Sequence, residues 1–377
     1  MRVAIVHYWL VAMRGGEKVV EELLRLYPDA DLFTHVADPA NLSPFLAGRD
    51  IRETFIARLP GARRHYQKYL GFMPRALEEL DLSGYDLVIS SESGPAKGVI
   101  VPPHARHICY VHSPMRYIWD HYHGYSDQLG RIGRWYFSRL AHDLRIWDVT
   151  AAARVDRFLA NSSFVAQRLQ RYYNRTSDIV HPPVDLDTFR LPAEERAREH
   201  YLFVSQLVPY KRADLVIEAF RGLDCKLKIV GDGDQRGRLL QDLPPNVELL
   251  GRVPEGQLLD LYQRAKALVF PAEEDFGIVP VEAMACGTPV LAYGRGGACD
   301  SVVDGKTGLF FDRQSAADIR EAVRAFERRA SEFNAAAIHA HAQRFAAGRF
   351  RQEFAAIAEE VMHGNAPAPP MRMHALN

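Results

Sequence analysis

The string Pro271-Ala-Glu-Glu-Asp-Phe-Gly-Ile-Val-Pro-Val-Glu-Ala-Met-Ala-Cys-Gly-Thr-Pro-Val290 holds the residues best suited to chemistry. It follows a short apolar run, Ala267–Phe270, turns at Gly277 and enters a helix near Val279–Pro280. Proline is tolerated in a first helical turn, where its missing N–H would lack a partner anyway, so Pro280 supports that start. The free N–H groups and the helix dipole at such a place favour an anion. Glu274 falls in the loop and Glu282 about one turn into the helix. Carboxylates so placed can accept hydrogen bonds from sugar or ribose hydroxyls. Taken alone, the pair also reads as one solvated loop charge and one helix-surface charge.

Other positions bear on the same chemistry. Lys211, in Ser205-Gln206-Leu207-Val208-Pro209-Tyr210-Lys211-Arg212, follows a strand-like run, where an ammonium can neutralise a diphosphate. Arg14-Gly15-Gly16-Glu17 joins the first strand to its helix. Its glycines either admit a phosphate close to the backbone or simply make a tight turn, and they are not the dinucleotide fingerprint G-x-G-x-x-G. His112 closes a strand at the edge where open α/β sheets bind ligands, although a satisfied loop histidine is the plainer reading. Gly231-Asp232-Gly233 and Gly251-Arg252-Val253 are loops at that same edge. His121 and His123 lack a third well-spaced partner, so no metal site is expected.

These residues need a frame. Strand-like runs at Val3–His7, Asp31–Val36, Asp86–Ser91, His107–His112 and Arg157–Ala160 alternate with helical patterns such as Glu17–Tyr27. The scheme repeats with Tyr201–Ser205, Lys226–Val230, Val247–Leu250, Ala267–Phe270, Pro289–Tyr293 and Gly308–Phe311, with a helix at Ala213–Phe220. Short apolar runs bounded by Gly and Pro, separated by amphipathic helices, predict parallel sheets covered on both faces. At 377 residues, two doubly wound α/β domains are expected. The prolines of His181-Pro182-Pro183-Val184 mark the break. The expected division is 1–183, 184–345, a terminal helix over 346–363 with Phe350, Phe354, Ile357 and Val361 in phase, and a tail over 364–377.

The long string closely resembles the donor-site signature of family 4 retaining glycosyltransferases, whose Glu-x7-Glu motif would here be Glu274 to Glu282. The resemblance implies the GT-B architecture, two Rossmann-like doubly wound domains facing across a cleft. It further implies that Glu282 binds the donor ribose, while Glu274 and the Phe276-Gly277-Ile278-Val279 backbone hold the transferred sugar. Lys211 matches the family's diphosphate lysine, but Gln206 stands where the family carries Arg, and Arg212 is the candidate to replace it. By the same resemblance Gly15 and Gly16 face the donor, His112 lies beside the donor sugar, and the loops with Gly231, Asp232 and Val253 line the base pocket. Phe33-Thr-His, Leu82-Ser-Gly-Tyr-Asp-Leu-Val-Ile-Ser-Ser91 and His112-Ser-Pro-Met-Arg-Tyr117 lean towards bacterial mannosyltransferases of surface polysaccharide assembly. GDP-mannose is then the first donor, with UDP-sugars as the alternative, and a glycan or polyprenyl-diphosphate-linked molecule the acceptor. No metal or other cofactor is expected. A sugar-nucleotide epimerase and a non-catalytic carbohydrate-binding protein are the rival readings.

Composition narrows the partners. Lys and Arg number 47, Asp and Glu 47, so the net charge is zero and a general nucleic-acid binder is disfavoured. The 4 cysteines are scattered and form no C-x-x-C pair, which fits a reducing compartment and a cytoplasmic location. No apolar run approaches a membrane span, and Val3–Met13 reads as a buried strand. One segment departs from this balance: between Glu53 and Glu78 there is no acidic residue, but Arg58, Arg63, Arg64, Lys68 and Arg75 are interleaved with Phe55, Tyr66, Tyr69, Phe72 and Met73. Basic and aromatic residues together suit an anionic membrane surface or a lipid diphosphate, with Arg63, Arg64 and Lys68 as the candidate membrane or acceptor residues. A solvated helical face explains the run as well.

Overall fold

The computed structural model describes residues 1–194 and 196–364, so the expected tail beyond Gly364 lies outside the described residues. Among the described residues, thirteen strands form two parallel sheets. The first sheet holds β1 (Val3–His7), β2 (Asp31–Thr34), β3 (Ile51–Glu53), β4 (Leu87–Glu92), β5 (Arg106–Val111), β6 (Arg157–Ala160) and β7 (Asp178–Ile179), in the order β3-β2-β1-β4-β5-β6-β7. The second holds β8 (His200–Val204), β9 (Leu227–Val230), β10 (Val247–Gly251), β11 (Ala265–Phe270), β12 (Val290–Tyr293) and β13 (Gly308–Phe311), in the order β10-β9-β8-β11-β12-β13. Both orders reverse direction between their first and fourth strands. In doubly wound sheets the loops leaving two such strands splay apart at the carboxyl edge, which is the usual ligand position.

The chain divides into two compact units, Met1–His181 with the chain from Phe350 onward, and Pro182–Arg349. In the first, β1, β4 and β5 bury every residue but Arg106, as expected of strands covered on both faces. The helix Ala347–Met362 packs Phe350, Phe354, Ala358 and Val361 against Val3, Ile5 and Leu24 of this unit. The terminal helix expected from residue 346 begins one residue later. Gln343–Phe345 is a tighter 3-10 turn that ends at Ala346, whose backbone is extended. In the second unit, Leu202, Leu268, Phe270 and Val290 fill one face of the sheet and Phe203, Phe220, Ile229 and Val269 the other. No helix among the described residues is long and apolar enough to cross a membrane.

The first unit also buries charge. The Lys97 ammonium is fully enclosed between Glu92, at 2.6 Å, and Asp148, which also accepts from Trp119 Nε1 at 2.8 Å and Tyr173 Oη at 2.7 Å. Burial alone would lower the lysine pKa, but Asp148 and Glu92 outweigh it and hold the ammonium charged. Removing one member would strand the others, a loss on the order of 3–5 kcal/mol. The cluster therefore fixes the end of β4 to the helices Arg131–Ala152 and Ser163–Tyr173.

Two buried histidines set an acid limit. Burial pushes the His35 pKa down to about 4, and burial with nearby Arg154 and Lys97 pushes His107 down to about 3. Both protonate near 6.5 once unfolded, so the unfolded chain binds more protons below that pH and stability falls as pH drops from 6.5 towards 4. Each is expected to cost about 1.4 kcal/mol per pH unit across that window. All 4 tryptophans lie in the first unit, so their fluorescence during urea unfolding reports that unit. His107→Gln should flatten the pH dependence of the midpoint. An unchanged slope would show that His107 is not held neutral.

Candidate functional site

Within the second unit, the loops after β8 and β11 meet through one ion pair. Lys211 ends a single 3-10 turn, Pro209–Lys211, and its ammonium contacts Glu274 Oε1. The side chains keep 13% and 21% of their surface, so the pair is sheltered yet reachable from solvent. Glycines hold the Glu274 loop in place. Gly297 N–H donates to the Glu274 carbonyl at 2.8 Å, and a Cβ on Gly296 or Gly297 would lie within 2.6 Å of that loop's backbone. The helix Ile278–Ala285 then begins at Gly277, whose φ of +84° and contact with the Phe270 ring suit only glycine. Gly277 supplies no capping side chain and Pro280 has no N–H, so the Ile278 and Val279 amides are the donors offered at this helix start. The Phe276 ring is core, tilted against that of Phe345, which leaves only its backbone for a ligand.

The remaining residues expected here occupy varied positions. Glu282 is largely buried and accepts the Tyr262 hydroxyl at 3.1 Å, a contact that orients its carboxylate. Gln206 is exposed at the loop's start. Arg212 adopts a left-handed backbone, and its guanidinium forks onto Asp214 at 3.1 and 3.2 Å, so it is not turned towards Lys211's role. Gly231 and Gly233 are explained by packing: Cβ atoms there would lie 1.7 Å from the Ser205 carbonyl and 2.5 Å from that of Leu207. The strand ends are stitched back to back, with Leu207 N–H donating to the Asp232 carbonyl at 2.9 Å. Asp232 also caps the Gly233 amide at 2.9 Å, and Val253 packs partly buried against the core.

In the first unit, Gly15 and Gly16 are the first residues of the helix Gly15–Leu26 rather than a free loop. A Cβ on Gly16 would lie 2.9 Å from the Tyr8 hydroxyl and 3.5 Å from His112 Nε2, so close packing within the unit explains this glycine. His112 closes a chain of polar groups that sequence reasoning missed. Ser91 Oγ lies 2.8 Å from His112 Nε2 and 3.0 Å from His7 Nδ1, while His7 Nε2 stands 3.8 Å from Glu17. With the His7 proton on the nitrogen facing Glu17, the Ser91 hydroxyl donates to His7 and accepts from His112. Burial, with His7 nearby, pushes the His112 pKa down to about 3, so the ring is neutral near pH 7. Its backbone is held by the Glu92 carbonyl at 2.8 Å and by Asn161 Nδ2 at 2.9 Å. The run Ser90-Ser91-Glu92-Ser93 at the end of a strand was the signal available for this cluster.

The basic segment splits by side. Tyr66 and Met73 turn inward with Ile56 and Ala76, and Tyr69 donates to the Pro60 carbonyl at 2.6 Å. Arg63, Arg64 and Lys68 stay exposed, with Arg63 3.9 Å from Glu53. The alternation is thus mostly a core face and a solvated face, and Phe72 is the exposed exception.

Comparison with known proteins matches two family models to successive parts of the chain. The family model described as Glycosyltransferase Family 4 matches residues 13–188, and that described as Glycosyl transferases group 1 matches 189–343. A D-inositol 3-phosphate glycosyltransferase of Mycobacteroides abscessus is 32% identical over 215 residues, 50% of this chain and 48% of its own. An uncharacterised glycosyltransferase of Methanocaldococcus jannaschii is 28% identical over 178 residues, 46% of this chain and 50% of its own. The chain thus spans about half the length of the curated relatives it matches. Among solved structures, HepE of Anabaena, crystallised with UDP, superposes with a TM-score of 0.69 at 17% identity, covering 96% of this chain and all of that one. Sucrose-phosphate synthase of Thermosynechococcus elongatus reaches 0.73 at 17% identity, covering 97% of this chain and all of that one. At such identities the shared property is the fold.

The stitched loops make a stability prediction. Gly231→Ala forces a Cβ against the Ser205 carbonyl at a φ of +141° and should destabilise the second unit by about 2 kcal/mol or more. Thermal unfolding followed by circular dichroism checks this, since tryptophan fluorescence should stay unchanged. An unshifted transition would refute the packing account of that glycine.

Proposed function

From a chain that belongs to the GT-B glycosyltransferases, a family 4 domain followed by a group 1 domain, we propose a retaining, metal-independent sugar transferase that uses a nucleotide-diphosphate sugar. The observation that carries this reading is the Lys211–Glu274 pair beside the open start of the helix Ile278–Ala285. Breaking the sugar–phosphate bond develops charge on the departing diphosphate. A sheltered ammonium and helix N–H groups stabilise that charge without having to reorganise. Glu274 then takes sugar hydroxyls, Glu282 the ribose, and neutral His112 a further sugar hydroxyl. The acceptor hydroxyl attacks the anomeric carbon on the face the diphosphate leaves, and its proton passes to a departing phosphate oxygen.

The proposed donor is a UDP-sugar or GDP-mannose. Support for uridine comes from structural neighbours crystallised with UDP and UDP-glucose. Support for mannose rests on the segments around Phe33, Leu82 and His112, which resemble mannosyltransferases. We assign acceptor recognition to the first unit, with a glycan or polyprenyl-diphosphate-linked sugar as its class. An epimerase would consume donor without acceptor, which makes the assay decisive.

Nucleotide release from GDP-mannose, UDP-glucose, UDP-galactose and UDP-N-acetylglucosamine, with and without lipid-linked and free glycan acceptors, tests the reading. One donor should turn over in an acceptor-dependent way. Lys211→Ala should cut kcat about 30- to 1000-fold, equivalent to about 2–4 kcal/mol of transition-state stabilisation. Glu282→Ala should mainly weaken nucleoside diphosphate affinity, because ribose contacts persist in ground and transition states. A folded Lys211→Ala protein with unchanged kcat would remove the lysine from the mechanism.

A further inference from the structure

The helix Arg131–Ala152 buries one side only. Ala141, Leu144, Asp148, Ala151 and Ala152 face the first unit's interior. On the opposite side Ile132, Trp135 and Tyr136 are 85%, 73% and 57% exposed. Positions i, i+3 and i+4 share a helix face, so these three form one apolar stripe. Tyr125 and Leu129, just before the helix, are also exposed. A contiguous patch of this kind on a soluble surface marks an interaction site.

The charge around the stripe identifies the partner. No acidic residue lies between Asp127 and Asp143, whereas Arg131, Arg134 and Arg139 do. The stripe also adjoins the acid-free stretch between Glu53 and Glu78. A Cβ on Gly71 would lie 3.2 Å from Leu140 Cδ1 and 3.9 Å from the Tyr136 hydroxyl, and Phe72 next to it is 56% exposed. Arg58, Arg63, Arg64 and Lys68 are exposed in that stretch. Some arginines pair locally, Arg134 with Asp127 at 3.7 Å and Arg139 with Asp143 at 3.3 Å. Among the described residues, no carboxylate lies within ion-pair distance of Arg58, Arg64, Lys68 or Arg131. In a protein of zero net charge, unpaired basic residues and exposed aromatics have gathered on one surface.

We propose that this surface docks the first unit on an anionic lipid bilayer. Ile132, Trp135, Tyr136 and Phe72 enter the headgroup boundary, where amphipathic rings are favoured, and the basic residues meet lipid phosphates. The segment Thr54–Leu77 alone lacks the apolar part of this device, because its rings mostly turn inward; the helix supplies it. A second copy of the chain fits less well, since pairing two such faces would oppose like charges. The inference does not depend on the transfer reaction.

Co-sedimentation with vesicles of phosphatidylcholine alone, or mixed with phosphatidylglycerol, is the test. Wild type should bind the anionic vesicles at least about tenfold better at low salt, and salt should release much of it. A paired Ile132→Ser and Trp135→Ser variant, and separately an Arg64→Glu and Lys68→Glu variant, should each lose about tenfold or more while keeping the wild-type circular dichroism spectrum. Equal binding by wild type and both variants would overturn the proposal. So would wild type that ignores anionic vesicles but sediments as a dimer that the Ile132→Ser and Trp135→Ser variant dissolves, which would assign the face to a second copy.

Discussion

An ammonium and a carboxylate brought together from two βα loops are the contact on which the second unit's chemistry depends. Lys211 leaves β8 and Glu274 leaves β11, adjacent strands whose connections run in opposite directions across the sheet. Parallel strand order alone brings those loop ends side by side, and the ion pair selects one arrangement of them. Glu274 also gives Lys211 a partner of its own. An anion approaching the lysine must compete with that carboxylate, while a ligand bearing both phosphates and hydroxyls satisfies the two together. The pair thus favours a sugar joined to a diphosphate over either piece alone.

Backbone geometry around the pair is set by glycines at points of close approach. Gly296 and Gly297 lie against the Glu274 loop, Gly277 turns the chain into its helix beside Phe270, and Gly231 and Gly233 let the β9 loop lie under the β8 loop. The first unit uses a different device. There the fully buried Lys97 cluster anchors the end of β4, whose Glu92 carbonyl holds the His112 amide and whose Ser91 orients the ring. Buried charge thus anchors the strand end beside a histidine that burial keeps neutral. Such an arrangement is costly to disturb, which makes it a rigid platform.

Much of this was legible in the sequence because buried parallel strands write themselves as short apolar runs. β1, β6 and β13 fell on the residues expected, and the remaining central strands within two residues of their ends. β3 and β7 escaped notice: they are edge strands of three and two residues, too short and too exposed to show a pattern. The Glu274–Glu282 loop and helix were readable from Gly277 and Pro280. The reasons for the glycines were less so. Gly16, Gly231 and Gly233 suggested ligand approach, yet the structure gives each a close packing neighbour from its own unit. Arg212 illustrates another limit, since its guanidinium is claimed by Asp214 two residues on. The Lys97 cluster and the Glu17–His7–Ser91–His112 chain join residues far apart in sequence, and nothing in local spacing announces them.

Calorimetric titration of the nucleoside diphosphate that the enzyme releases, into wild type, Lys211→Gln and Glu274→Gln proteins, tests the central claim most directly. If the two side chains form one diphosphate-sugar site, Lys211→Gln should weaken binding. Glu274→Gln should strengthen it, because the lysine loses its competitor and the phosphates lose a like charge. Turnover of the intact sugar nucleotide should fall in both. Nucleoside diphosphate affinity that is unchanged in both variants, with each protein folded, would contradict the account and place the donor elsewhere.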